Sequence, residues 1–476
     1  GSTATFSTSC TDLDIDGDGS NVTINSGVTI DGTSDAVGFA NATNTTLTNN
    51  GTISSSGSRG LRTTTSATIN DLSNNGTISA GGSSGIRNDG TITTLTNTNT
   101  ISATGGYGIY NITGATIGTI TNSGTISAGT SFGLRNNGAA IINTLTNSGT
   151  ISADQSGLWN GGTITTLTNT SNIKALDGEF GLKNVKGTIG TLTNSGTISA
   201  SGNYGLFNDQ NSTSTAIITT LINSGTISAG SNSGLWNDGT ITTLTNTDTG
   251  NIKALDGNFG LKNVNGTIGT LTNSGTISAS GNYGLYNDGT ATITTLTNTG
   301  TISSSGNEIG IYNDSTITTL NNSQGASSSA LTYTGNLPTN YNVIVNSTSD
   351  FGKTTFSDAS GTTTFGVHST STLAGSTTYS SVLSGLSSSD IASGTSDTFV
   401  SGSKRYDWTL SNSSGKLWDL VVDEEVDITL DTNTSVTSSV KPNVILGINN
   451  LNSVTEVNFA NMNTYDCDLF DKKNIC

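Results

Sequence analysis

Asp12, Asp14, Asp16 and Asp18 come nearest, by type and spacing, to a site that could do chemistry. Carboxylates at alternate positions followed by Gly17 imitate the start of an EF-hand loop. In such a loop, oxygens at positions 1, 3 and 5 surround Ca²⁺ and a glycine at position 6 makes the turn. Position 12 falls on Thr23, so the bidentate glutamate is missing. Ca²⁺ is the one cofactor this pattern admits, and an acidic turn is the plainer alternative. Catalysis has less to stand on. His368 is the single histidine and has no cysteine or second histidine beside it to build a transition-metal site. A Ser-His-Asp arrangement would have to use His368, and neither a G-x-S-x-G elbow nor a GDSGG-like segment is expected to serve it. The carboxylate groups that would cleave a polysaccharide are sparse along the middle of the chain. The expected class is not an enzyme.

Two longer patterns concern surfaces rather than reactions. The first is Arg62, Arg87, Tyr110, Arg135, Trp159, Lys183, Phe207, Trp236, Lys262, Tyr286 and Tyr312, each but the first directly before an asparagine. Alternating cations and rings stack on one another, and exposed aromatic rows grip sugars and apolar surfaces. The competing reading is a solvated sheet face stiffened by cross-strand pairs. The second pattern is a T-x-T pair around a central leucine, as in Thr94/Thr96, Thr166/Thr168 and Thr270/Thr272, broken at Asp71/Ser73 and Ile222. Stacked T-x-T rows resemble ice-binding β-helices, although threonine is also the ordinary exposed strand residue.

The element that must position these residues is a repeat. Variants of T-L-T-N-S-G-T-I-S-A return about every 25 residues, with isoleucine at 53, 78, 101, 126, 151, 173, 198, 227, 252, 277 and 302. Such a period marks a stack of one supersecondary unit. Each unit holds three short strands, as in Thr-Leu-Thr, Thr-Ile-Ser and Tyr-Gly-Leu-Tyr-Asn, separated by turn formers. No stretch has a helical period. The expected fold is all-β, a parallel β-helix of about twelve coils. Alternation places three apolar columns inside, led by Leu47, Ile53 and Leu61, with two asparagine columns at the strand ends running through Asn97 and Asn111. Stacked asparagines bond amide to amide, so these columns read as structural. Residues 151–208 and 228–288 are near-copies, with the length change at a turn.

Composition narrows the partners. The 476 residues carry a net charge of −17, and only 10% are charged. An acidic surface repels phosphate backbones, so nucleic acid is not an expected partner. No run of about 20 apolar residues spans a membrane. Residues 1–40 read as an N-terminal cap, 41–325 as the repeat array, 326–430 as a β-rich C-terminal cap, and 431–476 as a linker or tail with a short helix near 451–461. Cys10, Cys467 and Cys476 lie outside the array. The last two suit a small loop in an oxidising compartment, and all three suit reduced thiols equally.

N-S-G-T-I-S-A coils followed by a Y-x-W-x-L…G-x-L-W-x-L hairpin at residues 406–420 resemble the secreted passenger of a bacterial autotransporter. The resemblance covers roughly residues 20–430. It implies a right-handed β-helix, a C-terminal cap that aids folding during export, and a location outside the cell or on its surface. The family's outer-membrane barrel is not among these 476 residues, so a cleaved or truncated passenger, or a different export route, is the expectation. Passengers include adhesins, proteases, esterases and self-associating proteins, so function follows only loosely. The expected work is adhesion to a cell surface, glycan or abiotic surface, or a part in cell-surface structure. The alternatives are a subunit that polymerises into an extracellular filament or surface layer, and ice binding.

Overall fold

In the computed structural model, which describes residues 1–210 and 215–428, each repeat is one turn of a parallel β-solenoid. A turn contributes one strand to each of three sheets, as Thr91–Asn97, Thr100–Ala103 and Tyr107–Asn111 do. The first sheet has 17 strands and the second has 13. Identical residues stack in register, for example Leu72 on Leu47 and Leu95, and Ile78 on Ile53 and Ile101. The three predicted apolar columns are fully buried. No coil can bury its apolar face alone, so stability accrues between neighbours.

The solenoid has about 15 turns, not twelve. At ~4.8 Å per coil it is a rod of about 70 Å. Counting repeats of a phrase misses coils that have lost the words and kept the backbone. Val22 stacks under Leu47, Ile30 under Ile53, and Val37 under Leu61. Beyond the array, Tyr341 continues the Leu320 column and Tyr333 the Ile311 column. A coil needs an inward apolar residue and a turn, and either an aliphatic or an aromatic residue satisfies that.

A fourth apolar column escaped the sequence reading. Ile69, Ile92, Ile117 and their successors are also fully buried. In Thr91–Asn97 the register passes over Thr93, so Ile92 and Leu95, three apart, both point inward. Strict alternation does not anticipate that irregularity.

Both asparagine columns form ladders. Asn97 donates from Nδ2 to Asn122 Oδ1 at 2.7 Å, Asn122 to Asn147 at 2.7 Å, and Asn147 to Asn169 at 2.8 Å. The second runs from Asn88 through Asn111 and Asn136 to Asn313 in the same manner. Except at Asn298, the other amide hydrogen goes to backbone carbonyls at the turn, as Asn97 does to Thr125 and Asn99. These buried amides satisfy one another and the turns, which is what makes them tolerable.

The second sheet ends at Thr301–Ser304. There Gln324 stands in for the next strand: its Oε1 accepts from Ile302 N at 2.8 Å and Asn298 Nδ2 at 3.0 Å, and its Nε2 donates to Ile302 O at 3.4 Å. The third sheet continues and turns antiparallel, with Lys404–Ser414 against Leu417–Val422 around Gly415. Tyr406, Trp408, Leu410, Trp418 and Leu420 of this hairpin are buried, and Trp418 Nε1 donates to Leu386 O at 2.9 Å. The single helical element among the described residues is one 3-10 turn, Ser388–Asp390, and none of their helices is long and apolar enough to cross a membrane. Cys10 is half-buried beside Ile30. The predicted helix at 451–461, the 431–476 tail, Cys467 and Cys476 lie outside the described residues.

Candidate functional site on the outer face of the third sheet

The strip is built from a five-residue strand of form x-G-Φ-x-N, as in Phe132–Asn136. Its second, third and fifth residues are buried, and its first and fourth face outward. The glycine makes this so. A Cβ on Gly133 would lie 2.7 Å from Gly157 O and 2.9 Å from Ser152 N, so backbone packs on backbone there. With glycine and its successor both turned in, the first residue is left outside.

All eleven residues predicted to form an outward row do stand in one column. Register runs unbroken from Arg62 through Arg87, Tyr110, Arg135 and Trp159 to Lys183, and on through Phe207, Trp236, Lys262 and Tyr286 to Tyr312. Every one is half-buried. Beside it runs a second column that the sequence reading missed, with rings at Tyr107, Phe132, Phe180, Tyr204, Phe259 and Tyr283 and buried serines at Ser84, Ser156 and Ser233. Alternation counted back from the asparagine turns these rings inward, and the glycine reverses that. The recurring aromatic directly before G-Φ-x-N was the available signal.

The two columns interlock. Phe180 stacks on Phe207 at 5.4 Å between centroids and on Tyr204 at 5.6 Å, and Tyr204 meets Trp236 edge-on at 5.1 Å. One duplication later, Phe259 stacks on Tyr286 at 5.3 Å and Tyr283 on Tyr312 at 4.8 Å. Cations sit over the rings: Lys183 Nζ is 4.3 Å from the Phe180 centroid, Lys262 Nζ is 4.5 Å from that of Trp236, and the Arg135 guanidinium is 4.7 Å from that of Trp159. Such pairs contribute about 0.5–1 kcal/mol each at exposed sites. Rings and charges are thus held in place by each other.

Carboxylates border the strip. Lys183 pairs with Asp209 at 3.2 Å and Lys262 with Asp288 at 3.5 Å. Burial, helped by the nearby Asp209 charge, pushes the Asp238 carboxyl up to about 6. Burial also raises the Tyr286 hydroxyl, and its bond to Asp288 adds to that. The resulting surface offers flat apolar faces edged by hydroxyls, carboxylates and ammonium groups, a combination that can stack on a sugar ring and bond its hydroxyls.

The other predicted residues are not gathered in this way. Among the described residues no three His, Cys, Asp or Glu side chains converge on a point that would hold a cation. Asp14 lies on the third-sheet strand Leu13–Ile15, opposite Gly38. Asp18 accepts from Thr43 N and Thr43 Oγ1, both at 2.8 Å, and those bonds hold its carboxyl below the usual range. His368 Nδ1 bonds the Thr370 hydroxyl at 2.8 Å, and burial lowers its pKa. Two G-x-S-x-G strings, residues 81–85 and 129–133, fall at solenoid turns and their following strands, and neither Ser83 nor Ser131 is hydrogen-bonded to His368. No family model, curated protein or solved structure matches the chain.

Proposed function

We propose that this protein is a non-enzymatic, extracellular or cell-surface β-solenoid, of the kind carried as an autotransporter passenger, that attaches to glycans or other surfaces through the outer strip of its third sheet. The observation that carries this reading is the double column of interlocked rings and cations. A sheet face that needed only solubility would be served by threonine and serine, as the first sheet is. Rings held rigidly in register, half-buried apart from the buried Phe180 and Phe259, lose little conformational entropy on binding, which favours affinity. The Trp159→Ala/Trp236→Ala double variant is expected to fold and to lose at least tenfold in affinity for glycan-coated or cell surfaces. Unchanged retention on those surfaces refutes the reading.

A second reading rests on the first sheet. Thr94, Thr119, Thr144, Thr166, Thr191, Thr220, Thr243, Thr270, Thr295 and Thr319 stack in unbroken register. The parallel row through Thr96 is interrupted only by Ile222 before it ends at Asn321. An uncharged, regular hydroxyl array suits an ordered ice surface. Thermal hysteresis at micromolar protein, abolished by Thr191→Lys, is the expected result under this reading, and its absence in the parent protein rules it out.

A further inference from the structure

The cations of the strip are not equivalent. Arg59 pairs with Asp35 at 2.7 Å, Arg62 and Arg87 with Asp89 at 3.2 and 2.6 Å, and Lys183 and Lys262 with Asp209 and Asp288. Arg135 alone among them has no ion pair within the described residues. The cause lies in one column. For Arg62, Arg87, Lys183 and Lys262 the carboxylate comes from the residue after a ladder asparagine, usually one coil on from the cation. That column reads Asp89, Ile112, Asn137, Gly161, Val185, Asp209, so four consecutive coils lack an acid there. The position that would serve Arg135 is Gly161. A Cβ on Gly161 would lie 2.5 Å from Trp159 Cη2, so the indole occupies the space in which an aspartate would stand. In the duplicated copy the same position is Asp238.

Arg135 is nevertheless held firmly. Besides Trp159, its guanidinium lies 5.3 Å from the Tyr107 and Tyr110 ring centroids and 5.6 Å from that of Phe132. Nη1 donates to the Tyr107 hydroxyl at 2.7 Å and Nη2 to Asn137 Oδ1 at 3.3 Å. Nε has no acceptor. A guanidinium carries five N–H donors. Here two are spent, and each terminal nitrogen keeps one hydrogen uncommitted. A fixed cation with spare donors along its edge, collared by aromatic faces, suits a ligand with a planar anion joined to an apolar ring face.

We propose that the coils around Arg135 bind the carboxylate-bearing sugar unit of an acidic polysaccharide, its ring stacked on the collar and its carboxylate on the guanidinium. This rests on the reading of the strip as a glycan-binding surface and specifies its ligand there. The net charge of −17 opposes approach of a densely charged polymer. It is compatible with one carboxylate per sugar meeting one guanidinium inside an acid-free window.

The test is calorimetric titration of the full chain with three probes: an oligogalacturonate, its methyl ester, and a sulfated oligosaccharide of equal length. The acid is expected to bind at least tenfold tighter than its ester. Arg135→Gln is expected to remove that preference, so that acid and ester bind alike, and Arg135→Lys to retain part of it. Thermal melts confirm that the variants are folded. Equal affinity for acid and ester, an unchanged preference in Arg135→Gln, or Arg135-dependent binding of the sulfated probe alone overturns the assignment. If neutral glycans bind through Trp236 with no role for Arg135, only this inference falls. If no glycan binds, it falls together with the reading of the strip.

Discussion

Trp159 and Asn160 are consecutive residues on opposite faces of one strand, and they obey different rules. The Asn160 column is asparagine in every coil from Asn88 to Asn313, whereas the Trp159 column contains arginine, lysine, tyrosine, phenylalanine and tryptophan. An inward amide must accept from the coil before and donate to the coil after, and its second hydrogen must reach a turn carbonyl. Only one side chain fits all three demands. An outward residue must only pack acceptably against its two neighbours, and cation-on-ring and ring-on-ring both do that. The interior is therefore constrained to a single residue, and the exterior is free to be shaped by a ligand.

The contrast breaks most directly by substituting the two neighbours separately. Asn160→Leu removes the donor to Asn184 Oδ1, Gly162 O and Thr188 O, and the acceptor for Asn136 Nδ2. At about 1–3 kcal/mol for each buried group left unpaired, the expected loss is about 3–5 kcal/mol in urea unfolding. Trp159→Ala is expected to lower stability by only about 1 kcal/mol. Equal losses would abolish the distinction between face and lumen.

A smaller effect is expected where stacking stops. Gln324→Leu strips the acceptor from Ile302 N and Asn298 Nδ2 at the open edge of the second sheet. A loss of about 2–3 kcal/mol is expected, with increased self-association in sedimentation, since an uncapped edge recruits strands. Filaments in the parent protein, seen by electron microscopy, would favour the polymer alternative over single rods.

The smallest effect separates the two copies of the duplication. The Asp238 carboxyl is raised to about 6, so the folded chain binds more protons than the unfolded chain between the ordinary carboxylate range and that value. Stability is then greatest below the ordinary range and declines as pH rises through about 6. Asp238→Asn is expected to flatten this slope in thermal midpoints taken from pH 4 to 7. The side chain is partly solvated, and screening keeps the effect below about 1 kcal/mol. Gly161, its counterpart, has nothing to titrate.

Legibility followed the same division. Leu47, Ile53, Leu61 and both asparagine ladders were readable because each repeats at one period and one parity. The Ile92 column and the Phe132 column were not, since each lies beyond a local break in alternation, at Thr93 and at Gly133. The coils at Val22 and Tyr341 were hidden for another reason: backbone register carried on after the repeated wording ended. The eleven outward residues were identified correctly as a row, yet nothing in that row distinguished Arg135 from Lys183.

By itself the sequence determined the coil, the stacking columns and the amide ladders, because each is enforced by the same residue recurring against itself. Only the tertiary structure decided which charges are spent and which are free. Most of the strip's ion pairs and ring contacts, such as Lys183 with Asp209 and Tyr283 with Tyr312, join residues one coil apart in space and about 25 apart in the chain. Whether an aspartate reaches a lysine, or an indole stands where the aspartate would be, depends on side-chain packing at a single coil, which no periodicity records.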